Sequence, residues 1–443
     1  MPGRSIRTMV GMPPLDRRPA VAALLVVLLA AAAASAEEPA PPAPPPAPPA
    51  PPAEKSAPNP PDTIEKAYLR LESLRKTPLT GPGAVVRRKE RVRGLADAAL
   101  AIHAKTPAAG EDLFRLAEIC TDADKPAEAI GFAAAYLKSG DGKTALPSEG
   151  PARALEIRGF AAQGKLAEAD AALKAWAEKT PAAEGLGPVG KAVGDAWLEA
   201  GKPAEALARY REAHARVPRP FKPGGAAAVQ ALVEALAFQG ELDEAKKVLD
   251  KGIEDAKGDD AVGQRFAAVR RRLDLFGTKF PAPPLDRWVG GAAPTEADLK
   301  GKVAVWHLFG WWTAAKPLPL EGWIARQGEW APKGLVVLPV TRTSGWDPAQ
   351  SRFRNDRKPV DELPDIEKAV REIGWKGAVG VSFDGALFNA LSVRGLPMEV
   401  VVGRDGKIVY CQAGSEPGHR FAMLAAERAL AAPAPTEAPA GGR

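Results

Sequence analysis

A five-residue phrase recurs through the middle of the chain and constrains its fold more than any other feature. Lys125-Pro126-Ala127-Glu128-Ala129 returns unchanged as Lys202-Pro203-Ala204-Glu205-Ala206. Close variants stand at Lys165-Leu166-Ala167-Glu168-Ala169 and Glu241-Leu242-Asp243-Glu244-Ala245. The final alanines are 40, 37 and 39 residues apart. A period of this length denotes stacked supersecondary units, none of which buries its apolar face alone.

The fullest copy places Gly194, Trp197, Gly201, Ala206, Tyr210, Ala213 and Pro218 at successive signature positions, and in this it resembles the tetratricopeptide repeat. Gly194 and Ala213 are small where two helices must approach closely. Gly201 suits a helix end that needs positive φ. Pro203 suits the first turn of the next helix, where a missing N–H costs nothing. Other copies show Phe160, Gly164, Ala169, Leu173 and Pro181, then Gly240, Ala245 and Leu249, and first Ala117, Cys120 and Ala129. The spacing exceeds the repeat's usual length, so some turns carry insertions. The resemblance implies a concave surface for a protein or peptide partner.

From about residue 278 the pattern changes. Lys302–Phe309 reads as a buried strand, about Lys316–Gln327 as a helix and Gly334–Thr341 as a second strand, a βαβ unit with parallel strands. A helix near Asp365–Ile373 and a strand near Ala378–Phe383 follow. Met398–Val402 and Lys407–Cys411 flank Asp405-Gly406, a hairpin signal. A helix near Arg420–Ala431 closes the domain. Leu299-Lys300-Gly301-Lys302-Val303, Val393-Arg394-Gly395-Leu396-Pro397 and Asp405-Gly406 together resemble the exported redoxin branch of the thioredoxin-like superfamily. That resemblance covers about residues 278–431 and implies a cis bond at Pro397. The expected architecture is multidomain: a tetratricopeptide-like helical array over residues 62–276, then an α/β thioredoxin-like domain over 277–431, with Gly277–Pro284 as a short linker.

The resemblance breaks at its chemistry. Where the family carries Trp-Cys-x-x-Cys, residues 311–316 read Trp-Trp-Thr-Ala-Ala-Lys, with Thr313 and Lys316 at the thiol positions. In the family the first thiolate is the nucleophile of disulfide exchange. Threonine has no comparable acidity, and lysine does not resolve a mixed disulfide. The chain has two cysteines, Cys120 and Cys411. Cys120 falls at a repeat core position. Cys411 ends a hairpin strand, where it is either a small apolar filler or a relocated reactive thiol. A disulfide between them would join the two domains.

Trp311 and Trp312 sit on the loop that in the family faces a substrate peptide beside Pro397. They are read either as core residues or as peptide anchors. Thr313 and Lys316 at a helix start would otherwise suit an anion. The four histidines, His103, His214, His307 and His419, show no metal-ligand spacing, and His307 in the first central strand reads as a core histidine. No metal, cofactor or nucleotide motif is expected.

Arg4, Arg7, Arg17 and Arg18 precede an apolar run, Val21–Ala34, and an Ala34-Ser35-Ala36 cleavage pattern. This reads as a secretory signal over residues 1–36. Retained, it would be a membrane anchor. The formal charge is +6, of which the signal holds four Arg and one Asp. The remaining +3 shows no cation runs interleaved with aromatics, and so no nucleic-acid footprint. The spacer, 37–61, holds 13 prolines from residue 39 onward. It would extend as polyproline II over on the order of 70 Å. The tail, 432–443, has similar composition.

The reading favoured by these features is an exported, periplasmic or envelope binding or scaffold protein, redox-inactive and without cofactor, that docks protein or peptide partners. The rival is a thiol-disulfide oxidoreductase or peroxide reductase acting through Cys411. A third is a holder of unfolded chains using the two tryptophans.

Overall fold

The computed structural model describes residues 60–78, 84–140, 146–217, 225–256, 259–281, 285–312, 318–350, 352–413 and 417–433. The signal segment, nearly all of the spacer and most of the tail lie outside the described residues, as do Thr313, Lys316 and Pro218. Residues Asn59–Arg443 form one compact unit.

The helical array runs α1 (Ile64–Lys76), α2 (Ala84–Lys105), α3 (Glu111–Asp122), α4 (Pro126–Lys138), α5 (Glu149–Ala162), α6 (Leu166–Lys179), α7 (Leu186–Glu199), α8 (Pro203–Ala215), α9 (Gly225–Gln239), α10 (Leu242–Asp255) and α11 (Asp260–Leu273). The recurring phrase opens α4, α6, α8 and α10, and its final alanines, Ala129, Ala169, Ala206 and Ala245, are buried. The turn before each phrase repeats too. Asp124, Gly164, Gly201 and Gly240 all have positive φ. At each turn the next N–H reaches back five residues: Lys125 to Cys120, Lys165 to Phe160, Lys202 to Trp197 and Glu241 to Leu236, at 2.9–3.0 Å. This is the Schellman closure, which satisfies helix-end carbonyls. An aspartate fills the first such turn because its short polar side chain tolerates the left-handed region. Gly194 is required for contact: an added Cβ would lie 2.6 Å from the Tyr210 ring.

The sheet domain runs β1 (Arg287–Val289), α12 (Glu296–Leu299), β2 (Val303–Leu308), α13 (Leu318–Trp330), β3 (Leu335–Arg342), β4 (Trp346–Asp347), β5 (Arg352–Phe353), α14 (Pro359–Ile373), β6 (Val379–Ser382), α15 (Ala386–Ala390), β7 (Met398–Val402), β8 (Ile408–Ala413) and α16 (Gly418–Ala431). Six strands pair in the order β1-β6-β3-β2-β7-β8. β2 pairs β3 in parallel, as a βαβ unit requires, and β7 pairs β8 as an antiparallel hairpin. The Leu396–Pro397 bond is cis, as the thioredoxin-like resemblance implied. Short elements escaped the sequence reading: β1, β4, β5, α12 and α15 are two to five residues long. The 277–284 segment differs from a free linker. Gly277 N–H donates to Ile408 O, Ile408 N–H to Thr278 O and Phe280 N–H to Gly406 O, so its described part is laced to β8.

The array and the sheet share one apolar core. Val303, Val305 and Phe309 face a cluster that continues through Phe421 into Tyr210, Phe238 and Leu249 of the array. Ala304, Trp306 and Leu308 face a second cluster on the opposite side of the sheet. α16 lies at the junction. Its Phe421 is fully buried, with ring centroids 5.3 Å from Phe238 and 6.4 Å from both Tyr210 and Tyr410. Its Arg420 donates to Leu198 O at 3.3 Å and its Arg428 to Phe238 O at 2.9 Å. Those carbonyls belong to the last turns of α7 and α9, where cations complement the helix dipole. The Arg428 guanidinium also stands 4.1 Å over the Phe238 ring.

A buried polar network crosses the same junction. Arg272 of α11 donates to Gln412 of β8 at 3.3 Å and to Ser392 O at 3.2 Å. Gln230 Nε2 donates to Glu234 at 2.6 Å, and Arg265 donates to Gln230. Burial drives the Glu234 carboxyl up from 4.5 to about 7; the Gln230 bond and the Arg272, Lys191 and Arg265 charges pull it only partly back. Between those two values the native state holds a proton that the unfolded chain has lost, so stability falls as pH rises through the window. The loss amounts to about 3 kcal/mol. Glu234→Gln should flatten the stability profile between pH 4.5 and 7 and exceed the wild type in urea midpoint at pH 8.

Candidate functional site

The two thiols come first, because they decide between chemistry and binding. Cys411 on β8 is fully buried in the second core cluster, paired across the hairpin with Val400. Burial pushes its thiol up to about 12, with only a small opposing pull from Arg272. Cys120 is equally buried and is likewise raised to about 12 by burial. Both are free thiols, so the disulfide weighed from the sequence does not form. Exchange needs an accessible thiolate, and neither cysteine supplies one in this fold.

The tryptophan pair divides. Trp311 is 8% exposed and belongs to the main core, with its backbone N–H on Thr341 Oγ1 at 3.4 Å. Its ring packs among core residues. Trp312 is half-buried at the surface. It meets Phe353 edge-on at 6.3 Å, and Phe353 in turn meets Trp346 at 5.0 Å. Phe353 is 56% exposed. Arg342 lies 6.0 Å from the Trp312 ring and 5.7 Å from Phe388. Pro397, half-buried, stands just before β7.

The sequence reading missed Phe353 and Arg342 as surface partners of Trp312, and Trp346 as the partner of Phe353. The β4–β5 hairpin that presents Phe353 is well braced. Glu362, buried on α14, accepts from the backbone N–H groups of Ser344 and Gly345 at 3.0 and 2.7 Å. Gly345 has φ +77°, and an added Cβ would collide with Arg354 O at 2.2 Å. Asp347 Oδ1 accepts from Ala349 N–H at 3.0 Å, a turn that Asp347-Pro348 could have signalled.

Beneath the sheet's main face lies a cluster that no spacing in the sequence announces. Glu399 on β7, fully buried, meets His419 Nδ1 of α16 at 3.0 Å, His307 Nδ1 of β2 at 3.3 Å and Trp323 Nε1 of α13 at 2.5 Å. His419 enters because residue 322 is glycine: a Cβ there would lie 2.6 Å from its Nε2. Burial pushes the Glu399 carboxyl up, but the hydrogen bonds and charges of both imidazoles outweigh it and hold the group below its usual value. A carboxylate on Nδ1 is the arrangement that orients a histidine base. Here His307 is 0% exposed and no substrate reaches it, so the cluster joins β2, β7, α13 and α16. The core reading of His307 holds, with a carboxylate partner. Among the described residues no group of His, Cys, Asp and Glu is arranged to hold a metal.

A cavity of about 420 Å³ lies between α6 and α8 over α7. Leu173, Gly190 and Ala213 line it, an Asp170–Arg209 pair at 2.8 Å sits beside them, and Lys174 and Arg216 are also in its wall.

The tetratricopeptide repeat family model matches residues 198–268, from the end of α7 into α11. Nothing among curated proteins matches the chain. Solved structures similar to it include a thiol-disulfide isomerase from Corynebacterium glutamicum, 18% identical, covering 35% of this chain and 99% of that one, with a TM-score of 0.28. The thioredoxin domain of a thiol-disulfide oxidoreductase from Bacteroides vulgatus is 16% identical over 35% of this chain and 97% of its own, with a TM-score of 0.27.

Removing Glu399 would strand two imidazoles and an indole in the core. Glu399→Ala should cost about 3–5 kcal/mol in chemical unfolding. The wild type should keep the contribution of this group above the unfolded carboxyl's value, about 4.3, and lose it as pH falls through the lower folded value.

Proposed function

We propose that this chain is an exported, non-catalytic binding protein, in which the helical repeats and the aromatic surface around Trp312 each receive a protein or peptide partner. The observation that carries the reading is the state of its sulfur. Thr313 and Lys316, which stand at the family's thiol positions, lie outside the described residues; neither contains sulfur. The cysteines present are both fully buried with their thiols raised to about 12. Meanwhile Trp312, Trp346 and Phe353 form an aromatic surface flanked by Arg342. Partly exposed aromatics with an arginine are the residue types that anchor interfaces. The cavity between α6 and α8 supports a second docking place on the repeats. Export rests on the basic, apolar and small-residue order of the first 36 residues.

An insulin-reduction assay separates this reading from the oxidoreductase rival. The wild type should show no turnover above buffer, and Cys411→Ser should match it. Turnover that vanishes in Cys411→Ser would establish the rival. On the binding side, partners retained from envelope extract should fall about tenfold with Trp312→Ala/Phe353→Ala, the scale of about 1.4 kcal/mol for interface aromatics. Undiminished capture would move the partner site elsewhere.

A further inference from the structure

Phe353 stands out on the surface around Trp312. Among the described residues, Leu69, Phe353, Val360 and Val409 are the large apolar side chains left exposed, and only Phe353 is aromatic. It sits on a two-stranded ribbon too short to hold itself. The ribbon is fixed instead by Glu362, through the backbone N–H groups of Ser344 and Gly345. A rigid support therefore holds this ring out in water. Trp312, Phe353 and Trp346 make a row with centroid steps of 6.3 and 5.0 Å. That is the scale of one polyproline II turn, about 9 Å.

The side-chain polar groups on this row are all donors. Among the described residues, the indole N–H groups of Trp312 and Trp346 make no hydrogen bond and are not sealed from water. Exposed Arg342, beside Trp312, takes part in no hydrogen bond or ion pair there. The carboxylates of the flanking segments are already committed. Asp347 accepts from Ala349 N–H and holds Arg354 at 3.2 Å. Glu362 serves the ribbon, and Asp384 accepts from Ala386 N–H at 2.8 Å. A matching ligand therefore brings apolar rings and acceptors, and few donors of its own. Proline is the residue without a backbone N–H, and a polyproline II strand leaves its carbonyls free of internal hydrogen bonds. An ordinary extended peptide brings an N–H at each residue, which strand addition would satisfy. β4 and β5, with two residues each, are too short an edge for that. A nucleic-acid strand also stacks and accepts, but it needs a track of cations. Here Arg354 and Arg357 are held by Asp347, Asp356 and Asp365, which leaves Arg342 and Arg352. We propose that the Trp312–Phe353–Trp346 row, with Arg342, docks a proline-rich segment of a partner protein in polyproline II form. The inference rests on the reading of this surface as a partner site, and names what that partner presents.

Fluorescence polarisation with full-length protein tests it. The probe is a labelled polyproline peptide of about ten residues, compared with an alanine–serine peptide of equal length. The polyproline peptide should bind, and the other about tenfold more weakly, the scale of one peptide N–H left unpaired. Phe353→Ala should weaken polyproline binding about tenfold with an unchanged unfolding midpoint. Should that variant lose stability, Arg342→Gln carries the test, with a loss of about fivefold for one hydrogen bond. No polyproline binding, equal binding of the two peptides, or binding that both variants retain would overturn the proposal. Tighter binding of single-stranded oligothymidine at equal salt would overturn it in favour of nucleic acid. Partner capture that falls with Trp312→Ala/Phe353→Ala while the polyproline peptide stays unbound would overturn this inference alone and leave the partner site standing.

Discussion

The structure turns on helix α16 and on Phe421 within it. That ring touches Tyr410 of the sheet and Tyr210 and Phe238 of the array. Arg420 and Arg428, from the same helix, reach the carbonyls that end α7 and α9, while His419, one residue before Arg420, holds Glu399 in the sheet. Helix ends leave carbonyls that must find partners. Here the neighbouring domain supplies cations, so docking is built into the termination of the repeats. The interface is then part of the interior, and the sheet serves as the far cap that a repeat stack requires.

The sheet domain takes its form from groups other than sulfur. The fold draws on apolar strands, on the cluster around Glu399 and on α16. None of these needs sulfur at a helix start. Cys411 persists as a small buried side chain opposite Val400. At the surface, the β4–β5 hairpin adds Phe353 and Trp346 to Trp312.

Much of the architecture was legible because its signals are periodic. The recurring phrase marked four helix starts, and Gly164, Gly201 and Gly240 marked three of the turns before them. The apolar runs at 303–308 and 335–342 gave a parallel pair, and Asp405-Gly406 gave the hairpin. The helix expected near Asp365–Ile373 begins earlier, at Pro359, and carries Pro364 inside it. The β4 and β5 strands have two residues each, too few for alternation to show. The Glu399 cluster joins residues 307, 323, 399 and 419, so no local spacing exposes it. Trp311 was ambiguous because an aromatic on a loop reads the same whether its ring turns inward or outward.

The central claim is that array and sheet form one cooperative body through α16. It is tested by following urea unfolding of the wild type and Phe421→Ala with tryptophan fluorescence, which reports mainly on the sheet domain, and with helical circular dichroism, which reports mainly on the array. The account predicts coincident transitions in the wild type and an equal fall in both for the variant, by about 3–5 kcal/mol. Two separated transitions, with the helical one unmoved by the substitution, would contradict it.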